Sequence, residues 1–377
     1  MSVLQPYEGG TDGSVYLAAD RKSTCWGLLP NAASRPVLTV APGTALCLDT
    51  LSHEGILPDQ GADPAAFFAA AGIPAGRVLR DAAELAATAQ PFDPARRGPH
   101  VVTGPVAVAG ARPGDVLEVE VLRLRRRTAY GVISNRHGRG ALPGEYPAPP
   151  PGHPEGAPVP TVSLVAHVDD DGLGRLPVGD GRAVRFPLGP FLGIMGVAAA
   201  TERPVHSVPP GPHGGNLDIR LLTEGARLFL PVQVPDALFY AGDPHFSQGD
   251  GEVALTAFEA PLRATVRLVL HSDPAIRRLA ARLAGPYAET AGHHLVTGLD
   301  TDLDEAVRKA TRAALGYLAE RCALPAPVAL AYLSAAVDVR ISQVVDDVKG
   351  VHICLPKADL APLLTGPSGP GAGTIPA

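Results

Sequence analysis

A chain of 377 residues with 46% apolar side chains is long enough to bury one large core or two, which excludes disorder for most of its length. Its formal charge of −6, with basic residues spread singly apart from Arg123 and the run 125–127, builds no field for nucleic acid or another polyanion. Four cysteines, Cys25, Cys47, Cys322 and Cys354, lie far apart without metal or disulfide spacing, which fits buried thiols in a reducing compartment. The opening MSVLQPYEGG lacks the basic and apolar regions of a signal peptide. No run approaches the roughly 18 apolar residues that cross a bilayer, so the expectation is a cytoplasmic protein without a membrane partner.

Glycine and proline punctuate the first two-thirds of the chain every few residues. Between them lie short apolar or β-branched runs at 35–40, 101–108, 116–124, 161–168, 183–187 and 226–232, which predict strands. Helices are predicted only at 64–71 and 81–89. Pro42-Gly43 and Pro113-Gly114 each join two apolar runs, and Pro-Gly suits the central positions of a type II turn, so two hairpins of a sandwich or barrel are expected. Residues 142–160, dense in proline and glycine, form a surface excursion that either closes over a site or loops out. From about 262 the pattern changes. ATVRLVLH reads as a strand, and residues 302–321 carry apolar side chains at helical spacing behind Asp302, with Glu305 placed for a capping box. Residues 327–337 read as another buried helix, and 339–345 with 351–355 as a last hairpin. The predicted architecture is mainly β, a sandwich-like or barrel-like body over 1–265, with an α+β portion over 266–363. The tail 364–377 has too few large apolar side chains to pack.

The segment GDPHFSQGDGE, 242–252, holds Asp243, His245, Gln248, Asp250 and Glu252 among three glycines, more polar chemistry than a turn needs. Asp243 and His245, two apart on a strand, project from one side and can form half of a Zn²⁺ shell; an ordinary hydrogen-bonded pair is the alternative. Gly249 and Gly251 let the backbone turn so that Asp250 and Glu252 come back toward them. Asn216 and Asp218 follow Gly214-Gly215, where either a ligand with an oxyanion donor or an Asx-turn is open. His100 opens a strand, where a lone histidine is more often structural than ligating, and Asp49 with His53 forms another polar step at a strand end to which the same reading applies more strongly. There is no phosphate loop, because GPHGGNLD lacks the lysine, and no G-x-S-x-G elbow, so Ser247 is not a nucleophile candidate. Cys322 and Cys354 sit among apolar neighbours, unlike reactive thiolates.

Four motifs together resemble the acetamidase/formamidase family: HVVTGPV at 100–106, FLGIMGVA at 191–198, HGGNLD at 213–218 and LPVQVPDALFYAGDPHFSQGDGE at 230–252. The resemblance runs from about Trp26 to the region 334–346. It implies a homo-oligomeric, metal-dependent amidohydrolase that cleaves small linear amides of the formamide or acetamide kind to carboxylate and ammonia. Carried over residue by residue, it points to His100, Asp218, Asp243, His245 and Glu252. The chain departs from the family in having Ala254-Leu255 where Cys-Gly usually follows the GDGEV element, and Asp236 where glycine is common.

The expected mechanism is attack by metal-activated water on the amide carbonyl, with zinc the first choice of ion and calcium the second. His100, Asp218, Asp243 and His245 are the expected ligands. Glu252 is the expected proton acceptor and donor, Asn216 the oxyanion donor and Gln248 the substrate-orienting amide. The competing class is a carbohydrate or small-ligand binding module with structural calcium, against which His245 argues. A carboxylate-pair glycosidase ranks lowest, since aromatic residues are only 5% of the chain and Trp26 is its single tryptophan.

Overall fold

Two large sheets stack across one apolar core in the computed structural model, which describes residues 3–11, 13–88 and 93–364. The first has nine strands, in the order Val15–Leu17, Ala45–Asp49, Leu262–His271, Val116–Arg126, Arg227–Pro231, Tyr287–Glu289, His293–Asp300, Lys349–Pro356 and Asp338–Gln343. The second has eleven and is centred on Phe239–Ser247, which pairs with Phe191–Gly196, Phe258–Glu259 and Val101–Val108. Leu46, Leu117, Val119 and Leu228 from one sheet share a core with Val106, Leu192, Phe239 and Phe246 from the other. The strand period of two then sends alternate residues to the opposite face. Leu228 and Leu230 enter this core, while Phe229 between them enters a second one, under the helices.

That second core explains the change of pattern late in the chain. Helix Leu303–Cys322 lays Ala306, Ala310, Ala314 and Leu318 on the nine-stranded sheet. Gly298 of the facing strand has no room for a side chain, since a Cβ would meet the Ala310 Cβ at 2.9 Å, so small residues set the separation of helix and sheet. Asp302 caps this helix, accepting from the Glu305 amide at 2.9 Å. The expected reciprocal half of a capping box is missing: the Glu305 carboxylate binds Arg308 and Arg312, and the Asp302 amide donates to Asp300. Helix Ala326–Ala336 forms where expected but is buried on one side only, through Ala329 and Leu333, with Val328 and Leu330 exposed. The last hairpin, Asp338–Gln343 with Lys349–Pro356, is as read. The sheet runs through residue 265 inside strand Leu262–His271, taking strands from both sides of it. The predicted helix end at 89 and the tail beyond 364 lie outside the described residues.

Neither Pro-Gly turn makes a hairpin. Gly43 and Gly114 do adopt positive φ, 85° and 91°, and the turns close through Thr44 N to Ala41 O and Asp115 N to Arg112 O. Yet Leu38–Val40 pairs with Val101–Val108 in the eleven-stranded sheet, whereas Ala45–Asp49 pairs with Leu262–His271 in the other. Strand Val116–Arg126 likewise leaves the sheet of Val101–Val108. A type II turn does not match the twist of a paired ribbon, so these turns serve as corners that carry the chain between layers.

Asp49, one of the polar residues at a strand end, belongs to a buried ion cluster. It takes Arg263 Nε at 2.6 Å and Nη2 at 2.9 Å, and the Tyr16 hydroxyl at 2.6 Å. Asp49→Ala would leave the Arg263 guanidinium, 1% exposed, without its carboxylate. The expected loss is about 3–5 kcal/mol of stability, read from the shift in urea midpoint; a shift within error would show that the pair is dispensable.

Candidate metal centre and active site

Strand Phe239–Ser247 carries two of the predicted ligands into the middle of the sheet. Its register runs Ile194 to Gly242 and then Leu192 to Pro244, which leaves Gly193 opposite Asp243. Asp243 stands at φ 52°, a left-handed conformation for a non-glycine residue, and Asp218 (φ 49°) and Glu252 (φ 47°) share it. Three carboxylates in backbone conformations that L-residues avoid, all reaching one place, are the kind of strain that persists at functional sites.

Asp243 is the hub. One oxygen, Oδ1, faces His53 Nδ1 at 3.6 Å and His100 Nε2 at 4.0 Å; the other, Oδ2, faces His245 Nε2 at 3.2 Å. His245 also approaches Asp218 Oδ1 at 3.9 Å and Glu259 Oε1 at 2.9 Å. Glu259 arrives by cross-strand register, directly opposite His245. His100 is fixed by its Nδ1, 3.0 Å from the Ser207 hydroxyl, which leaves Nε2 for the centre. The Gly193 carbonyl accepts from the Leu217 and Asp218 amides at 3.0 and 3.2 Å, locking the turn that presents Asp218.

The loop bearing Glu252 is held by the C-terminal strands. Gly251 bridges Gln343, its amide donates to Ser342 O, and Val344 donates back to Gly251 O, which brings Asp346 beside Asp218 and Glu252. Gln248 is a strut in this arrangement: its amide nitrogen donates to Asp218 O at 2.9 Å and Ser342 O at 3.1 Å. Asp250 turns away and faces Arg340 at 3.8 Å, so of the two carboxylates expected to fold back only Glu252 does. The Ser247 hydroxyl donates to Pro187 O.

His53, His100, Asn216, Asp243, Glu252 and Glu259 line one cavity of about 400 Å³; Asp218 and His245 lie buried behind it. Arg136, His137 and Arg139, just before the 142–160 excursion, contribute to its wall, while that excursion itself does not. The Arg136 guanidinium binds Glu54 at 2.9 Å and Asp59 at 2.7 Å, and Glu54 in turn faces His53 Nε2 at 3.4 Å.

The buried charges would suit a cation. Both oxygens of Asp218, His245 Nδ1, Asp243 Oδ1 and His53 Nδ1 are buried without a well-aligned hydrogen bond among the described residues, which is costly unless something binds there. Burial and the Asp243 charge push Asp218 up to about 8; burial, Asp218 and Asp346 push Glu252 well above the usual carboxylate range. Burial lowers His100 to about 4, so that imidazole is neutral and able to ligate. Burial alone would lower His53, but Asp243 and Glu54 outweigh it and hold the ring up to about 10. A divalent ion among these carboxylates would relieve their mutual repulsion, and imidazole nitrogens with carboxylate oxygens form the donor set of zinc or a similar ion.

All four residues expected to hold metal, His100, Asp218, Asp243 and His245, thus meet, and Glu252 and Asn216 stand beside them. Sequence reading missed Glu54, Glu259 and Asp346 and left His53 as a strand-end residue. The adjacency of His53 and Glu54 was a usable signal; for Glu259, in an apolar stretch, and Asp346, in an ordinary polar turn, there was none.

The architecture is that of solved amidases. An acetamidase from Bacillus halodurans superposes with a TM-score of 0.71 at 24% identity, covering 93% of this chain and 99% of that one. A predicted acetamidase/formamidase from Thermoanaerobacter tengcongensis matches equally, covering 98% of that chain, and a gamma lactamase from Delftia acidovorans matches at a TM-score of 0.53. Residues 197–358 match the model of the Acetamidase/Formamidase family. A formamidase from Methylophilus methylotrophus is 31% identical over 192 residues, 41% of this chain and 47% of the relative. An acetamidase from Mycolicibacterium smegmatis is 29% identical over 198 residues, 41% of this chain and 49% of the relative. The aligned region thus spans about half the length of these curated relatives. Among the described residues no helix is long and apolar enough to cross a membrane.

Proposed function

We propose that the protein is a metal-dependent amidohydrolase that cleaves the C–N bond of small linear amides to carboxylate and ammonia. The observation that carries this reading is Asp243, whose two oxygens face different imidazoles while buried ligand atoms around it lack partners. The relatives named formamidase and acetamidase supply the reaction class. His100, Asp218, Asp243 and His245 would hold the ion, with His53 facing Asp243 Oδ1 beside them. When bound, it supplies Lewis-acid polarisation of a carbonyl and a lowered pKa for water.

The chain's own groups do the rest. Glu252 lines the cavity and takes the proton of the attacking water, then passes one to the departing nitrogen, which leaves poorly as an anion. Asn216, on the same wall, donates from its side-chain amide to the oxygen that gains charge at the tetrahedral stage. Gln248 acts through its grip on the Asp218 and Ser342 carbonyls, positioning a ligand instead of touching substrate. Three histidines in the cluster favour zinc over calcium, whose preference is for oxygen. A cytoplasmic homo-oligomer is the setting we infer for it.

The test is ammonia release from formamide, acetamide and propionamide, before and after chelation and after zinc is restored. Release that disappears and returns with the ion supports the proposal; a metal-loaded, folded protein that releases none from any of them refutes it. Glu252→Gln is expected to keep most of the bound metal while turnover falls about 10²- to 10⁴-fold. Parallel loss of metal would make Glu252 a ligand, and undiminished turnover would remove it from the proton path.

A further inference from the structure

Leu255 has a backbone that its side chain should forbid. Its φ is 106°, well outside the left-handed values near 50° adopted by Asp218, Asp243 and Glu252, and a residue with a Cβ is strained there. The conformation is imposed from both sides. The Leu255 amide closes a turn onto Glu252 O at 3.2 Å, and the next residue, Thr256, is fixed by the Ser134 amide, which donates to its hydroxyl at 2.8 Å. Glycine would satisfy this geometry without strain. The leucine therefore sits against the backbone's preference, and it lines the same cavity as Glu252, Asn216 and Asp243.

The cavity has room for a substrate that would use it. At about 400 Å³ it far exceeds formamide, which fills on the order of two or three waters' share of liquid volume. Leu57, Val208 and Val345 add further apolar wall to the same cavity. A one-carbon amide would leave that wall facing water, whereas a chain of three or four carbons would cover it.

We propose that Leu255 is a specificity-determining residue which selects amides with a longer aliphatic acyl chain, of the butyramide class, over formamide. This rests on the amidase reading for the reaction but not for the binding. Each methylene seated on an apolar wall contributes about 1–3 kcal/mol of discrimination, or roughly 10- to 200-fold in kcat/KM.

Two variants separate the side chain from the backbone. Leu255→Ala removes the wall and keeps the strained conformation; Leu255→Gly removes both. The zinc-loaded protein and both variants are assayed for kcat/KM on formamide and butyramide, for butyramide affinity by titration calorimetry, and for Tm. Butyramide is expected to lead formamide in the parent, and that ratio to fall at least tenfold in both variants, with Tm rising only in Leu255→Gly. A parent that favours formamide, or a ratio unchanged in both variants, overturns the proposal while leaving the amidase reading intact. If no amide is hydrolysed but butyramide binds the parent and at least tenfold more weakly Leu255→Ala, the pocket stands and the hydrolysis does not. If butyramide is neither turned over in preference nor bound, the pocket falls too.

Discussion

Asp243→Asn should lower bound zinc by at least tenfold and reduce ammonia release from small amides below detection, without loss of the β-sheet circular dichroism signal. The change is isosteric, so packing is preserved, but the neutral amide no longer offers two anionic oxygens to groups on opposite sides. Oδ1 faces His53 and His100, and Oδ2 faces His245, so both halves of the cluster lose their common partner. Disturbing residues that merely orient ligands typically weakens metal binding 10- to 100-fold, which sets a floor for losing the residue at the centre. The readouts are elemental analysis of the purified protein and an ammonia assay on the same sample. Full zinc content with normal turnover would remove Asp243 from the centre.

The second large effect is expected at a residue with no side chain. A Cβ on Gly193 would lie 2.6 Å from Asp243 Oδ2 and 2.8 Å from His245 Cε1, and closer still to Asp218 Oδ1. None of these atoms belongs to a flexible surface group; all three residues are buried. Gly193→Ala must therefore displace the ligand cluster or the strand that carries it. Overpacking of this kind costs about 1–3 kcal/mol, and the accompanying shift should reduce zinc affinity 10- to 100-fold. Gly249→Ala is the matched control, since a Cβ there meets nothing within 4 Å. Equal Tm and zinc affinity in the two variants would show that Gly193 does not set the shape of the centre.

Periodicity and turn chemistry made much of this fold legible. The strand at 101–108, helices near 64 and 302, and the last hairpin fall within a few residues of where apolar spacing placed them. Strand partnership did not follow. Pro42-Gly43 and Pro113-Gly114 have the glycine conformation their residues require, but a turn's own dihedrals say nothing about which sheet the next strand will join. The candidate site divides in the same way. Asp243, His245 and Glu252 were readable because they crowd one segment, and Asp218 because paired glycines precede it. Glu259 reaches His245 only through the register of two strands, and Asp346 only because Gly251 bridges Gln343. Gly193 could not have been singled out, since its role is to leave space that exists only once Asp218 and Asp243 are in place.

The centre draws its groups from His53 at one end to Asp346 at the other, nearly three hundred positions apart. Closing so long a loop is entropically slow, and contacts of this separation form late in folding. During synthesis the ribosome must release the strand Asp338–Gln343 before the Glu252 loop has its anchor, so a nascent chain has no completed centre to load. An ion held there would therefore be captured after folding instead of nucleating it, and would act as a latch on an already assembled sandwich, stabilising it against global unfolding more than against local opening at the chain ends.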